Sequence, residues 1–119
     1  MVLVKVFGKW ESFVPLQYKQ NSFMQTTQYY IRLLQDFKRA HAAEYGITRM
    51  GIFGSVARGE QKEDSDVDVY YEGPSLGLKS IGLEIALEKF LDVPVDVIRK
   101  HNNIRPNFLQ RIMKEMIYV

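Results

Sequence analysis

Apolar positions recur along this chain with two different periods, and the switches between them mark its elements. Tyr30, Leu33, Leu34, Phe37 and Ala40 fall on one helical stripe, while Arg32, Gln35, Lys38 and Arg39 lie mostly elsewhere. Thr26 or Thr27 is a suitable cap before that stripe and Gly46 a stop after it, which predicts a core-facing helix to about Tyr45. Ile47 to Phe53 then reads as a strand, and Ser65 to Glu72 as a second, closed by Gly73-Pro74. Leu76 to Leu91 predicts another long helix, with Leu76, Leu83, Leu87, Phe90 and Leu91 on its main apolar stripe. Leu78, Ile81 and Ile85 lie on roughly the opposite side, so this helix has a second apolar face to bury, inside the domain or against another protein. Pro94 to Arg99 predicts a third strand, and Pro106 opens a closing helix carrying Phe108, Leu109, Ile112 and Met116.

The resulting order is helix, strand, strand, helix, strand, helix. Strands joined through a helix pair in parallel by a right-handed crossover, whereas the first two, joined by a loop, are expected to be antiparallel. The expected fold class is α+β: a small mixed sheet with helices packed mainly on one face. Residues 1–23 do not fit this scheme. Val2, Val4 and Val6 alternate as a strand would, but Trp10, Phe13, Pro15 and Tyr18 follow without a period. Two readings stand side by side: a leader ahead of an alternative start at Met24, or an edge strand added to the sheet. Residues 24–119 hold every motif and form the expected single domain.

Composition narrows the class. With 46% hydrophobic and 25% charged residues the chain is ordinary for a globular domain, and no apolar run approaches the ~18 residues of a membrane span. A net charge of +2, spread along the chain, provides no basic stripe for nucleic acid. The absence of cysteine excludes disulfides and thiolate metal sites and fits a cytoplasmic protein.

The chemistry concentrates between Gly54 and Val69. Gly54-Ser55 is followed by ten residues and then by Asp66-Val67-Asp68, with apolar strand sequence on both sides. Side chains alternate along a strand, so Asp66 and Asp68 point one way and Val67 and Val69 the other. Neighbouring carboxylates repel unless a cation lies between them, and Mg²⁺ suits because it takes oxygen ligands and shares its shell with phosphates. Ser55 and the N–H groups opening a short helix, about Ser55 to Arg58, are placed to hold phosphate oxygens, and Gly54 lets the backbone approach. Asp96, between Val95 and Val97, offers a third carboxylate if its strand neighbours the second. The bland alternative makes all three solvent-facing residues of a half-exposed sheet. His41 and His101 lack any metal-ligand spacing and read as surface residues.

Gly54-Ser55 with Asp66-Val67-Asp68 resembles the motif of DNA polymerase β-like nucleotidyltransferases. The fuller run Gly54-Ser55-Val56-Ala57-Arg58-Gly59 with Ser65-Asp66-Val67-Asp68 is similar to the minimal nucleotidyltransferase (MNT) branch. The resemblance implies attack by a hydroxyl on the α-phosphorus of ATP, with pyrophosphate leaving. Asp66, Asp68 and Asp96 would be catalytic and hold two Mg²⁺ ions. Gly54, Ser55, Arg58 and, from the loop, Lys62 would meet the triphosphate. No part of the chain is left to form an acceptor-binding lobe, so the acceptor must arrive on another molecule. In the MNT branch that molecule is a HEPN-type toxin, whose tyrosine receives AMP from an antitoxin bound to it in a hetero-oligomer. Two other readings stay open: neutralisation of a partner by contact alone, and nucleotidylation of a small molecule in a pocket completed by the partner.

Overall fold

A computed structural model describes residues 2–6, 9–13 and 25–119, the first two stretches as backbone strands. Strands β1 (Val2–Val6) and β2 (Lys9–Phe13) pair antiparallel in a sheet of their own. The alternating valines therefore do form a strand, but it joins a hairpin rather than the edge of the main sheet. The partner strand, K-W-E-S-F, lacks the period that would have announced it. Met24, the expected alternative start, lies outside the described residues.

From residue 25 the elements are α1 (Thr27–Tyr45), β3 (Arg49–Phe53), α2 (Gly54–Arg58), β4 (Val67–Glu72), α3 (Lys79–Leu91), β5 (Val95–Arg99), α4 (Pro106–Glu115) and β6 (Ile117–Tyr118). The four-stranded sheet has the order β5-β4-β3-β6. β3 and β4 are antiparallel and β4 and β5 parallel, as loop and helix connections require. β6, absent from the sequence-based scheme, returns antiparallel to β3 after Met116 leaves the helical conformation. Two residues are too few for a period to declare itself. Gly51 makes room for this return, because a β-carbon there would fall 2.7 Å from Met116 Sδ.

Each strand sorts its residues between two layers. Met50, Ile52, Val67, Val69, Tyr71 and Val95 face the main core, where Leu34 and Phe37 of α1 meet Leu83, Leu87 and Leu91 of α3. Phe53 and Tyr70 face the other way, beneath Ile112 of α4. The two long helices thus cover one face of the sheet, and the shorter α4 closes part of the second.

Thr26 caps α1 by accepting the Tyr29 N–H at 3.1 Å. Its stripe runs through Tyr30, Leu34, Phe37 and Tyr45, and Ala40 is exposed. His41 takes the position expected of Ala40, its ring 5.0 Å from that of Phe37. Its side chain is 40% exposed, so it belongs to the rim of the core. α3 starts later than Leu76: Leu76 packs on the core from a turn, while Leu78 and Ile81 are 86% and 57% exposed. No described helix is long and apolar enough to cross a membrane.

Leu87 is fully buried between α1 and the sheet. Leu87→Ala is expected to lower the unfolding free energy by ~3 kcal/mol, the usual cost of an aliphatic side chain removed from a packed core. Urea denaturation of the two proteins measures it, and a loss below ~1 kcal/mol would contradict the packing described.

Candidate active site

The site lies at the C-terminal end of β3 and the N-terminal ends of β4 and β5. Phe53 is the register partner of Asp68, so Gly54, the next residue, meets the Asp68 carboxylate directly. Gly54 has φ +75°, and a β-carbon on it would fall 2.0 Å from Asp68 Oδ2. Both the backbone angle and the space admit only glycine. The turn leads at once into α2, a single helical turn ended by Gly59. The Thr27 hydroxyl donates to the Val56 carbonyl and ties α2 to the start of α1.

Asp68 and Asp96 are register partners on parallel strands and therefore share a face. The flanking Val95 and Val97 point into the main core and Asp96 points away from it, exposed. Asp66 lies just before β4, near enough for its charge to act on Asp68. Burial first, then the charges of Asp96, Asp66 and Glu115, push the Asp68 carboxyl up to about 6, while Arg58 opposes them.

Arg58 is held by two carboxylates: its Nε donates to Glu60 Oε2 at 3.0 Å and its Nη1 to Glu115 Oε2 at 2.6 Å. These contacts, Glu115 first, raise its pKa and keep it charged. Glu115 also accepts the Gly54 N–H at 3.0 Å through Oε1. The Ser55 hydroxyl makes no hydrogen bond with another described residue, though the Ser55 carbonyl accepts the Glu60 N–H at 2.9 Å. Lys62 stands apart. Its backbone is pinned by Ser65, whose Oγ accepts the Lys62 N–H at 2.8 Å, but its exposed ammonium makes no ion pair with a described residue.

Sequence reasoning missed Glu115. No motif surrounds it, and its place depends on β6: Ile117 pairs with Ile52, so continuing that register brings residue 115 opposite Gly54. The apolar run Met116-Ile117-Tyr118-Val119 after the last polar residue of α4 was the one available signal. Tyr70 and Tyr71, near the end of β4, are buried, one in each core.

The donor set suits a hard divalent cation. It offers carboxylate oxygens only, and burial and then neighbouring charges drive one of these carboxylates toward protonation. Among the described residues no three acidic, histidine or cysteine side chains form a ready-made metal cage. An open set of this kind matches Mg²⁺, which is bound by one or two carboxylates and completes its shell with water and substrate phosphate.

The raised pKa fixes a sign. The folded protein holds the Asp68 proton more tightly than the unfolded chain, so the stability this group contributes is complete below about pH 4 and is lost as pH rises through about 6. Asp68→Asn cannot ionise. In chelator-treated buffer it is expected to raise the urea midpoint at about pH 7.5 more than at about pH 4. Equal changes at both pH values would contradict the burial and repulsion described.

Comparison with known proteins identifies the family. The nucleotidyltransferase domain family matches residues 31–119. Over 90 residues the chain is 39% identical to the protein adenylyltransferase MntA of Thermococcus cleftensis, an alignment that takes in 73% of this chain and 89% of that one. A solved candidate minimal nucleotidyltransferase superposes with a TM-score of 0.65 at 30% identity, over 81% of this chain and 98% of its own. A toxin–antitoxin crystal structure with AMP-PNP shares the fold at 20% identity and a TM-score of 0.57, over 79% of this chain and 72% of its own. The chain belongs to the nucleotidyltransferase domain family, in the minimal branch of the polymerase β-like superfamily, and is a nucleotidyltransferase.

Proposed function

We infer that this protein is the antitoxin of a two-protein system and transfers AMP from ATP to a tyrosine hydroxyl of a HEPN-type toxin. One observation carries the chemistry: Asp68 and Asp96 stand side by side, with Asp66 at hand, against the turn that opens with Gly54-Ser55. In this reading Ser55 and the backbone of its turn hold the β- and γ-phosphates, which aligns the α-phosphorus for in-line attack. The tyrosine oxygen forms the new bond to the α-phosphorus, the bond to pyrophosphate breaks, and Asp96 takes the hydroxyl proton. Exposure suits Asp96 to that role, since a base must reach an acceptor that comes from outside. Arg58 meets the charge that develops on pyrophosphate. Asp66, Asp68 and Asp96 would hold a pair of Mg²⁺ ions, which when bound neutralise the triphosphate and lower the pKa of the attacking hydroxyl.

Two features support a macromolecular acceptor. Leu78 and Ile81 leave an apolar strip of α3 exposed, as a surface covered by a partner requires. A cavity of about 1050 Å³ runs beside β5 and α4, lined by Ile98, Arg99, Arg105, Phe108 and Arg111 among others. Ile98 lies two residues beyond Asp96 on the same face of β5, so the cavity opens about 7 Å from the base. The names of the similar Thermococcus cleftensis protein and of the toxin–antitoxin structure agree with such an acceptor.

The test is transfer of radiolabelled AMP from ATP, in magnesium buffer, to the toxin encoded beside this chain. Label is expected on a toxin tyrosine, and Asp66→Asn or chelation of the metal should reduce it to background. Equal neutralisation of the toxin by Asp66→Asn would show that contact suffices. Label on a metabolite instead of protein would assign a small-molecule acceptor.

A further inference from the structure

One side chain holds two of the groups that the transfer reaction needs. The Glu115 carboxylate bridges the first and last residues of α2, with Oε1 on the Gly54 N–H at 3.0 Å and Oε2 on Arg58 at 2.6 Å. Gly54 and Arg58 are four residues apart on a helical turn and so lie on one face, where a single carboxylate reaches both. An anion therefore already stands where the triphosphate's cation would be recruited.

The two contacts differ in character. Glu115 is fixed in place, only 18% exposed, because β6 follows directly and its register with β3 sets residue 115 opposite Gly54. The Gly54 N–H belongs to the rigid turn packed on Asp68. Arg58 is 44% exposed and, among the described residues, is held otherwise only by Glu60, itself 66% exposed. Its long side chain is free to swing where the backbone is not, and an exposed pair such as Arg58–Glu60 opposes that weakly. Glu115 also adds negative charge to a site already crowded by Asp66, Asp68 and Asp96.

We propose that Glu115 is a positioning residue with two separable tasks: Oε1 keeps the Gly54-Ser55 turn in place throughout, and Oε2 competes with the triphosphate for Arg58. The inference rests on the nucleotidyltransfer reading above and corrects one part of it. The Gly54 N–H is already satisfied by Glu115, so the phosphate grip falls to Ser55 and the N–H groups after it. Nucleotide binding exchanges the Glu115–Arg58 pair for a phosphate–Arg58 pair, and the strength of the first sets the affinity for the second.

Glu115→Gln separates the tasks, since the amide oxygen still accepts the Gly54 N–H while the charge that holds Arg58 is gone. Calorimetric titration with α,β-methylene-ATP, and separately with inorganic triphosphate, both in magnesium buffer, reads the result. Glu115→Gln is expected to bind each probe roughly three- to tenfold more tightly than the unmutated protein. In an Arg58→Ala background the same change should bring a much smaller gain, only that of one negative charge removed from the site. An equal gain without Arg58, or no tightening in a protein with an unchanged unfolding midpoint, would overturn the proposal. A measurement on the unmutated protein covers a variant that fails to fold. On addition of magnesium triphosphate the Arg58 Nε–H resonance should shift strongly and the Gly54 amide proton stay protected from exchange. Loss of Gly54 protection, or a stationary Arg58 signal, would count against it. Failure of the unmutated protein to bind either probe would overturn the nucleotidyltransfer reading and this inference together.

Discussion

The contact between the Asp68 carboxylate and the α-carbon of Gly54 is the constraint on which the site depends. No β-carbon fits between them, and the left-handed backbone angle at Gly54 turns β3 into α2 at that point. The same contact brings a half-buried carboxylate against the turn that opens with Gly54-Ser55. The proposed reaction joins a metal to a triphosphate and so needs cation ligands and anion donors within a few ångströms, a closeness that one missing methyl group allows.

That closeness has an electrostatic cost. Asp66, Asp68, Asp96 and Glu115 all act on one small region, and Arg58 is the cation that offsets them at Asp68. Burial first, and then this surplus of negative charge, hold the Asp68 proton to an unusually high pH. Such an arrangement lowers stability, a cost found where function rather than folding sets the residue choice.

Much of this was legible in the chain. The spacing from Gly54-Ser55 to Asp66-Val67-Asp68, the valines around Asp96 and the order of helices and strands led to the sheet, its strand directions and the shared face of the carboxylates, because local periodicity carried the information. What escaped had no local pattern. β6 is two residues long and is defined by its pairing with β3, and Glu115 owes its position to that pairing. His41 replaces Ala40 on the rim of α1 because its ring packs on Phe37, which a count of apolar residues does not register. The hairpin of β1 and β2 failed to announce itself because its second strand mixes Lys9, Trp10 and Glu11 without alternation.

The strand order divides the labour of the sheet. β3, which launches the turn around Gly54, is interior, whereas β5, which bears Asp96, is outermost, and no described strand lies beyond it. In the proposed reaction the nucleotide's tail would be gripped from the middle of the sheet and the incoming hydroxyl met at its rim. A bulky guest can slide in sideways along that rim without crossing the anchored tail. Deep enclosures select small guests by walling them in; an open flank leaves the choice to whatever surface docks beside it.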